Sequence, residues 1–386
     1  MRLIDICDIN PKTQAIDDSS EVSFVAMPDV SEDGKINTGI IRRYCEVKKG
    51  FTCFREGDVL FAKITPCMEN GKGALALGLK NGIGCGSTEF HVLRPNTEVI
   101  QGKWLYYLTS WPAFRKDAER HMTGSAGQKR VPRVFLEKYE LQIPTLNEQS
   151  CQVEVLDRVK AVIELRKREL RNLDILIKAR FVEMFGLPGT DVKGWGLIPL
   201  GSCCELNPKK GKDERLVEGL ELSFVPMPAV SENGAIDASE KKLYEEVKSG
   251  FTYFAENDVL FAKITPCMEN GKGAVAVGLH NGIGFGSTEF HVLRPLSGRS
   301  DPFWIYSLTS FDCFRKDAAA NMTGSAGQRR VPASFLGRYK VALPPIELQE
   351  QFAELVQQVD KSKSVIQKSL DETQLLFDSL MQQYFA

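Results

Sequence analysis

DVLFAKITPCMENGKGA, residues 58–74, recurs without a change at residues 258–274. GSTEFHVLRP at 86–95 returns at 286–295, and MTGSAGQ at 122–128 returns at 322–328. The offset is 200 in all three blocks, so the loops within the unit carry no net insertion. Upstream the register slips by three, Asn10-Pro11-Lys12 corresponding to Asn207-Pro208-Lys209. A period of this length is too long for a solenoid. The chain is a tandem duplication, and each unit is a globular domain with an appendage.

The appendage reads as one long helix. Leu156, Val159, Ile163, Leu170, Leu173, Ile177 and Met184 fall on alternating three- and four-residue steps, with Arg166 and Arg180 at the two interrupted positions. That is a heptad seam. Thr145 and Glu148 have capping-box spacing at its start, and Gly186, Pro188 and Gly189 end the run. Glu154 with Arg158, Glu164 with Arg168, and Asp174 with Lys178 stand four apart in the favourable order. The second copy gives Phe352, Val356, Val359, Ile366, Leu370, Phe377, Leu380 and Tyr384, broken at Lys363 and Thr373, with Pro344-Pro345 at its start. Each helix should be roughly 60 Å long at about 1.5 Å per residue. Two seams in one chain point to a paired coiled coil.

The globular parts read as mixed α and β. SFVAM, DVLFAKI, ALALGL and TEFHVLRP are strand-like runs parted by Gly-rich turns. A helix follows near 103–109, and a second is expected from Ser110 as N-cap with Pro112 in its first turn. The polar loop TGSAGQKRVP then leads through ELQIP into the long helix. The fold class is α+β, divided as 1–144, a helix at 145–186, 187–344, and a helix at 345–386.

Composition is that of a folded soluble chain: 386 residues, 43% apolar, 26% charged, and a net charge of −1. A polyanionic partner therefore has to be argued from local features. No run approaches a membrane span, and MRLIDICDIN places acids where a signal peptide needs an apolar stretch, so a cytoplasmic location is expected. The ten cysteines are expected to be reduced and structural, because Cys53 is matched by Tyr253, Cys85 by Phe285 and Cys45 by Glu245 in the other copy. Adjacent Cys203 and Cys204 suit neither a metal nor a disulfide.

Two such domains, each trailed by a long helix, resemble the specificity subunit of type I restriction–modification systems. The junctions carry the likeness: Thr123-Gly124-Ser125, Gly127-Gln128, Val131-Pro132, Phe135-Leu136, Ile143-Pro144 and Glu148-Gln149. Thr323-Gly324-Ser325, Gly327-Gln328, Val331-Pro332, Phe335-Leu336, Leu343-Pro344 and Gln349 repeat it. The second copy departs in lacking the capping Thr. The resemblance implies two target recognition domains, each reading half of a gapped site on double-stranded DNA. It implies antiparallel helices that space the half-sites and dock two methyltransferase (modification) subunits. Restriction subunits complete such a complex in phage defence. S-adenosylmethionine, ATP and Mg²⁺ are expected on those partners, and no cofactor, metal or catalytic residue on this chain.

The residues agree on the negative side. No NPPY-like motif, P-loop, HExxH or GxSxG occurs, and Glu69 with Lys72 lacks the second acid that a Mg²⁺ nuclease needs. On the positive side, Gln suits adenine N6/N7 and Arg suits guanine O6/N7 in the major groove. The DNA-contacting candidates are Gln128, Lys129 and Arg130 with Thr123 and Ser125 on one loop, and Gln328, Arg329 and Arg330 with Thr323 and Ser325 on its copy. Lys63, Asn70 and Lys72, with Lys263, Asn270 and Lys272, are candidates for phosphates or bases, and Ser87, Thr88, Ser287 and Thr288 are weaker ones. Against each stands the plain alternative of a solvated turn. His91 and His291, inside EFHVL, read as packed core histidines.

Three functions are weighed: a non-catalytic DNA-specificity subunit; a stand-alone nuclease or methyltransferase, which the missing motifs disfavour; and a coiled-coil scaffold or decoy that docks methyltransferases without reading DNA. Under the first, duplication with antiparallel helices implies a two-fold relation between the domains, matching the dyads of B-DNA. Identical loops then imply a gapped inverted-repeat target. Differences such as Arg55 against Ala255, Lys35 against Ala235 and Arg133 against Ala333 are where one outer base would diverge.

Overall fold

A computed structural model describes residues 1–12, 15–125, 127–325 and 327–386, apart from the side chain of Lys212. The chain forms two compact units, Met1–Leu165 with Ser369–Ala386, and Arg166–Lys368.

In the first unit, eight strands make two four-stranded sheets: β1 (Cys7–Ile9), β2 (Glu21–Val25), β3 (Ile41–Arg43), β4 (Thr52–Arg55), β5 (Val59–Ala62), β6 (Gly73–Leu75), β7 (Ile83–Gly86) and β8 (Phe90–Pro95). One sheet runs β1-β8-β5-β6 and is antiparallel throughout. The other runs β3-β2-β7-β4, with β2 parallel to β7. Strand β5 is buried on both faces, which is why VLFA reads as an unbroken apolar run. Its period of two divides the core. Val59 and Phe61 join Trp104 and Phe114 on one face, while Leu60 and Ala62 join Phe54 and Val92 on the other.

The helices are α1 (Tyr44–Val47), α2 (Gly102–Ser110), α3 (Pro112–Arg120) and α4 (Arg133–Lys138), followed by the first long helix, Leu146–Phe185. Ser110 is not the N-cap of α3. It closes α2, its hydroxyl donating to the Tyr106 carbonyl at 2.7 Å, and Trp111 takes the cap position with Pro112 as the first helical residue. Strand β7 is absent from the sequence reading, because IGCG looks like a turn. Its glycines are set by contact: a Cβ on Gly84 would lie 2.3 Å from Phe54, and one on Gly86 would lie 1.8 Å from the Val25 carbonyl oxygen.

The expectation that all cysteines are free is overturned at one pair. Cys53 and Cys85 are joined by a disulfide. They sit directly opposite each other on β4 and β7, a proximity visible only once the register is known. In the second unit the same cross-strand position holds Tyr253 and Phe285, ring centroids 5.6 Å apart. One position is thus filled by two chemistries of cross-strand contact.

The second unit repeats both sheets strand for strand, in the orders 204–206, 290–295, 259–262, 273–275 and 241–243, 221–225, 283–286, 252–255. It adds a short antiparallel pair, Leu197–Pro199 with Lys340–Ala342. Its helices lead to the second long helix, Ile346–Phe385.

Each unit contains stretches of both long helices. In the second, Asp174 bonds Lys363 at 2.8 Å, while the Phe181 and Phe185 rings each lie 5.5 Å from Phe352. One helix rises as the other falls, so the pair is antiparallel there. Asp174 thus pairs across the helices, not with Lys178 along its own, and the seam interruption at Lys363 is answered by charge. Within the first unit, Val153 and Leu156 share a core with Met381, Leu380 and Phe377. The expected seam residues of both helices are all buried or half-buried. The capping box forms, with Thr145 N–H donating to Glu148 at 2.8 Å.

Candidate nucleic-acid interface

Three loops of the first domain meet at one place. The 63–72 loop follows β5, the turn 87–89 precedes β8, and the 121–132 loop joins α3 to α4. Lys63 N–H donates to the Glu89 carbonyl at 2.9 Å, Val131 N–H to the Lys63 carbonyl at 2.9 Å, and Thr65 N–H to the Lys129 carbonyl at 3.0 Å. The 121–132 loop is closed on itself by reciprocal bonds between Thr123 and Arg130 at 3.0 and 2.9 Å. Gly124 sits at φ 123°, and a Cβ there would meet the Gln128 carbonyl oxygen at 2.9 Å. Only glycine fits this close backbone approach.

This frame divides the candidates. Thr123, Ser125, Gln128 and Lys129 are exposed at the loop tip, and Asn70 and Thr88 are exposed on the neighbouring loops. Thr323, Ser325, Gln328, Arg329, Asn270 and Thr288 are exposed likewise. Arg130 is held instead. Its guanidinium makes a two-pronged bond to Glu89, Nε to Oε2 at 2.9 Å and Nη2 to Oε1 at 2.7 Å, and also donates to the Gln128 carbonyl at 3.1 Å. The bond keeps the Glu89 carboxyl below its ordinary range. Arg330 and Glu289 repeat the arrangement.

Lys72 donates to the Met27 carbonyl at 3.1 Å, and Lys272 to that of Met227 at 3.3 Å, so both ammonium groups are tied inward. Lys63 and Lys263 are half-buried, and burial lowers the pKa of Lys263. The Ser87 and Ser287 hydroxyls accept from the N–H of Glu89 and Glu289 within their own turns. Of the divergent positions, Lys35 pairs with Asp33 and Glu164, and Arg133 with Glu137.

The frame rests on buried polar groups, of which sequence reading passed over the Asp58–Arg94 and Asp258–Arg294 pairs. His91 is buried as expected, with Nε2 bonded to the Val131 carbonyl at 2.9 Å and Nδ1 facing Asn10 at 3.0 Å. Burial pushes its pKa down to about 4. Asn207 and His291 form the same clamp. A buried Asp58 takes a two-pronged bond from Arg94, and Asp258 from Arg294. Gln149, fully buried, accepts from Gln101 N–H at 2.9 Å and donates to the Val99 and Pro144 carbonyls, pinning the long helix to its domain. Gln349 makes the matching set. The visible signal for the Asp–Arg pairs was only their identity in both copies.

Among the described residues, no three His, Cys, Asp or Glu side chains group to hold a metal, and no helix is long and apolar enough to cross a membrane. The model of the type I restriction modification DNA specificity domain matches residues 1–174 and again 193–373. The chain belongs to that family. The specificity subunit of the EcoAI type I restriction enzyme of Escherichia coli is 45% identical over 172 residues, which is 44% of this chain and 29% of that one. The EcoEI specificity subunit of Escherichia coli is 42% identical over 175 residues, 45% of this chain and 29% of that one. The matched stretch thus spans under a third of those relatives' length. Among solved structures, one described as the basis of complex assembly and conformational transition of the type I R-M system aligns at TM-score 0.56 and 20% identity, over 99% of this chain and 96% of that one. The duplicated sheets and paired long helices are therefore the fold of specificity domains.

Proposed function

We propose that this chain is the non-catalytic DNA-reading subunit of a type I restriction–modification complex. Each domain reads one half of a gapped duplex site through its three-loop cluster. The long helices dock two modification subunits, and restriction subunits join that assembly. The transferred methyl group, ATP and Mg²⁺ belong to those partners, and the assembly works in the cytoplasm.

One observation carries the reading. Two identical loops, each exposing a Gln at its tip, are braced from beneath by an Arg–Glu pair and a buried His. A rigid frame under an exposed amide is what direct readout requires: Gln pairs with adenine N6/N7 in two-pronged fashion, and only a fixed geometry makes that pairing selective. Lys129 and Arg329 beside the amides supply sequence-independent attraction to phosphate. The Arg130 guanidinium, engaged by Glu89, positions the loop and does not itself read a base.

The test is co-expression with the modification subunits followed by selection of bound duplexes from a random pool. The chain should co-purify with those subunits, and the complex should enrich one gapped motif. A stable monomer that never co-purifies, or a complex that retains all duplexes alike, contradicts the proposal.

A further inference from the structure

The two reading loops are identical over 122–128 and 322–328, yet the surface beside that stretch is not. In the first domain a groove of about 580 Å³ runs along the 121–132 loop, walled by Lys116, Glu119 and Arg120 at the end of α3, by Lys129, and by Thr65 and Glu69. Thr65, Glu69 and Lys116 have identical counterparts 200 residues on, whereas Glu119, Arg120 and Lys129 become Ala319, Ala320 and Arg329. Other local differences are absorbed by structure. His121 and Asn321 make the same 2.9 Å bond to the carbonyl four residues back, and Arg133 is occupied by Glu137.

The divergent groove groups differ in pairing as well as identity. Glu69 accepts from the Thr65 hydroxyl through Oε1 at 2.7 Å, and its Oε2 is buried with no hydrogen-bond partner among the described residues. In the second domain Arg329 reaches the matching carboxylate, Glu269 Oε1, at 3.4 Å. Arg120 is exposed and makes no ion pair among the described residues. The first domain therefore presents an exposed guanidinium, Arg120, beside an exposed carboxylate, Glu119, and the second presents two methyl groups and a carboxylate already answered.

We propose that this groove is an asymmetric specificity element by which the first domain alone reads one further base pair, a G·C pair. The inference rests on the proposed function. The major-groove edge of G·C offers guanine O6 and N7 as acceptors and cytosine N4–H as donor. Arg120 matches the first two, and the exposed Glu119 carboxylate matches the third. Ala319 and Ala320 can make neither contact, so the second half-site carries no such requirement.

The experiment is methylation of plasmids carrying each of the four base pairs at every position flanking the motif, by the full complex. The parent should prefer G·C at one position in one half only, by about tenfold to a hundredfold, the discrimination of a good two-pronged contact. Arg120→Ala should erase that preference and leave the rest of the motif unchanged. The triple change Ala319→Glu, Ala320→Arg and Arg329→Lys should add the same preference to the second half. An Arg120→Ala motif identical to the parent's, or a rate that falls equally on all targets, overturns the proposal. A parent complex that methylates no defined sequence fails at the underlying function instead, which separates the two failures.

Discussion

At the residue scale, Gln128 and Arg130 stand two apart on one loop and should behave differently. Gln128 is held only through its backbone and its side chain is exposed, so Gln128→Ala should leave thermal stability intact and weaken one half-site by about 1–3 kcal/mol through the loss of its amide. Arg130→Ala and Glu89→Gln should act alike, because each breaks the same two-pronged brace. Both should blur the half-site and lower Tm, with binding titrations and thermal melts as the readouts. A Gln128→Ala complex with unchanged target methylation would remove this side chain from the readers. Sequence alone made Gln128 legible, since its chemistry is local. It could not show that Arg130 is spent on a carboxylate 41 residues away, nor that Lys72 bonds the Met27 carbonyl.

His91 gives a prediction of the same scale in pH. Its folded pKa, near 4, lies below the unfolded value of about 6.5. Above the unfolded value both states are neutral and nothing is gained or lost. Between the two, the unfolded chain binds a proton that the folded chain refuses, so stability falls as pH falls. The loss from pH 7 to pH 5 should be about 2 kcal/mol for this residue. Denaturant titrations of the parent and of His91→Asn should show the variant, though less stable at pH 7, with a shallower decline. Equal slopes would mean that His91 is not the group being titrated.

At the element scale, the long helices bury their expected seams and leave other apolar residues uncovered. Val155, Val162 and Leu165 are 37%, 38% and 46% exposed on the first helix within its unit. Exposed aliphatics at helical spacing are the kind of surface a further helix covers. Val162→Lys with Leu165→Lys should therefore abolish co-purification with the modification subunits and leave Tm within about 1 °C, since surface changes of this kind usually move stability by under ~0.5 kcal/mol. Retained co-purification would place the docking surface elsewhere. The helices were the most legible elements because their signal repeats over 40 residues. Strand β7 of the second sheet was the least legible, because it is half glycine and its strand character lies in what packs against it, the Phe54 ring and the Val25 carbonyl. The Cys53–Cys85 bond was hidden for the same reason: opposition across β4 and β7 is a property of register.

At the scale of the whole molecule, duplication is the main determinant. Strand order, loop frame and helix anchoring repeat in both units, down to the Gln149 and Gln349 bonds. Loop tips identical over 122–128 and 322–328, on identical braces, should read identical bases. From the duplication, the two domains are expected to read opposite strands. The target is then a gapped inverted repeat with half-sites centred roughly one helical turn, about 34 Å, apart, broken only where the Arg120 groove adds a base pair. Sequencing the methylated bases of a host that carries this chain with its modification subunits measures this directly. The account predicts a single gapped motif whose halves are reverse complements at every position but the one assigned to that groove. Two halves unrelated in sequence, or no methylated motif, would contradict it.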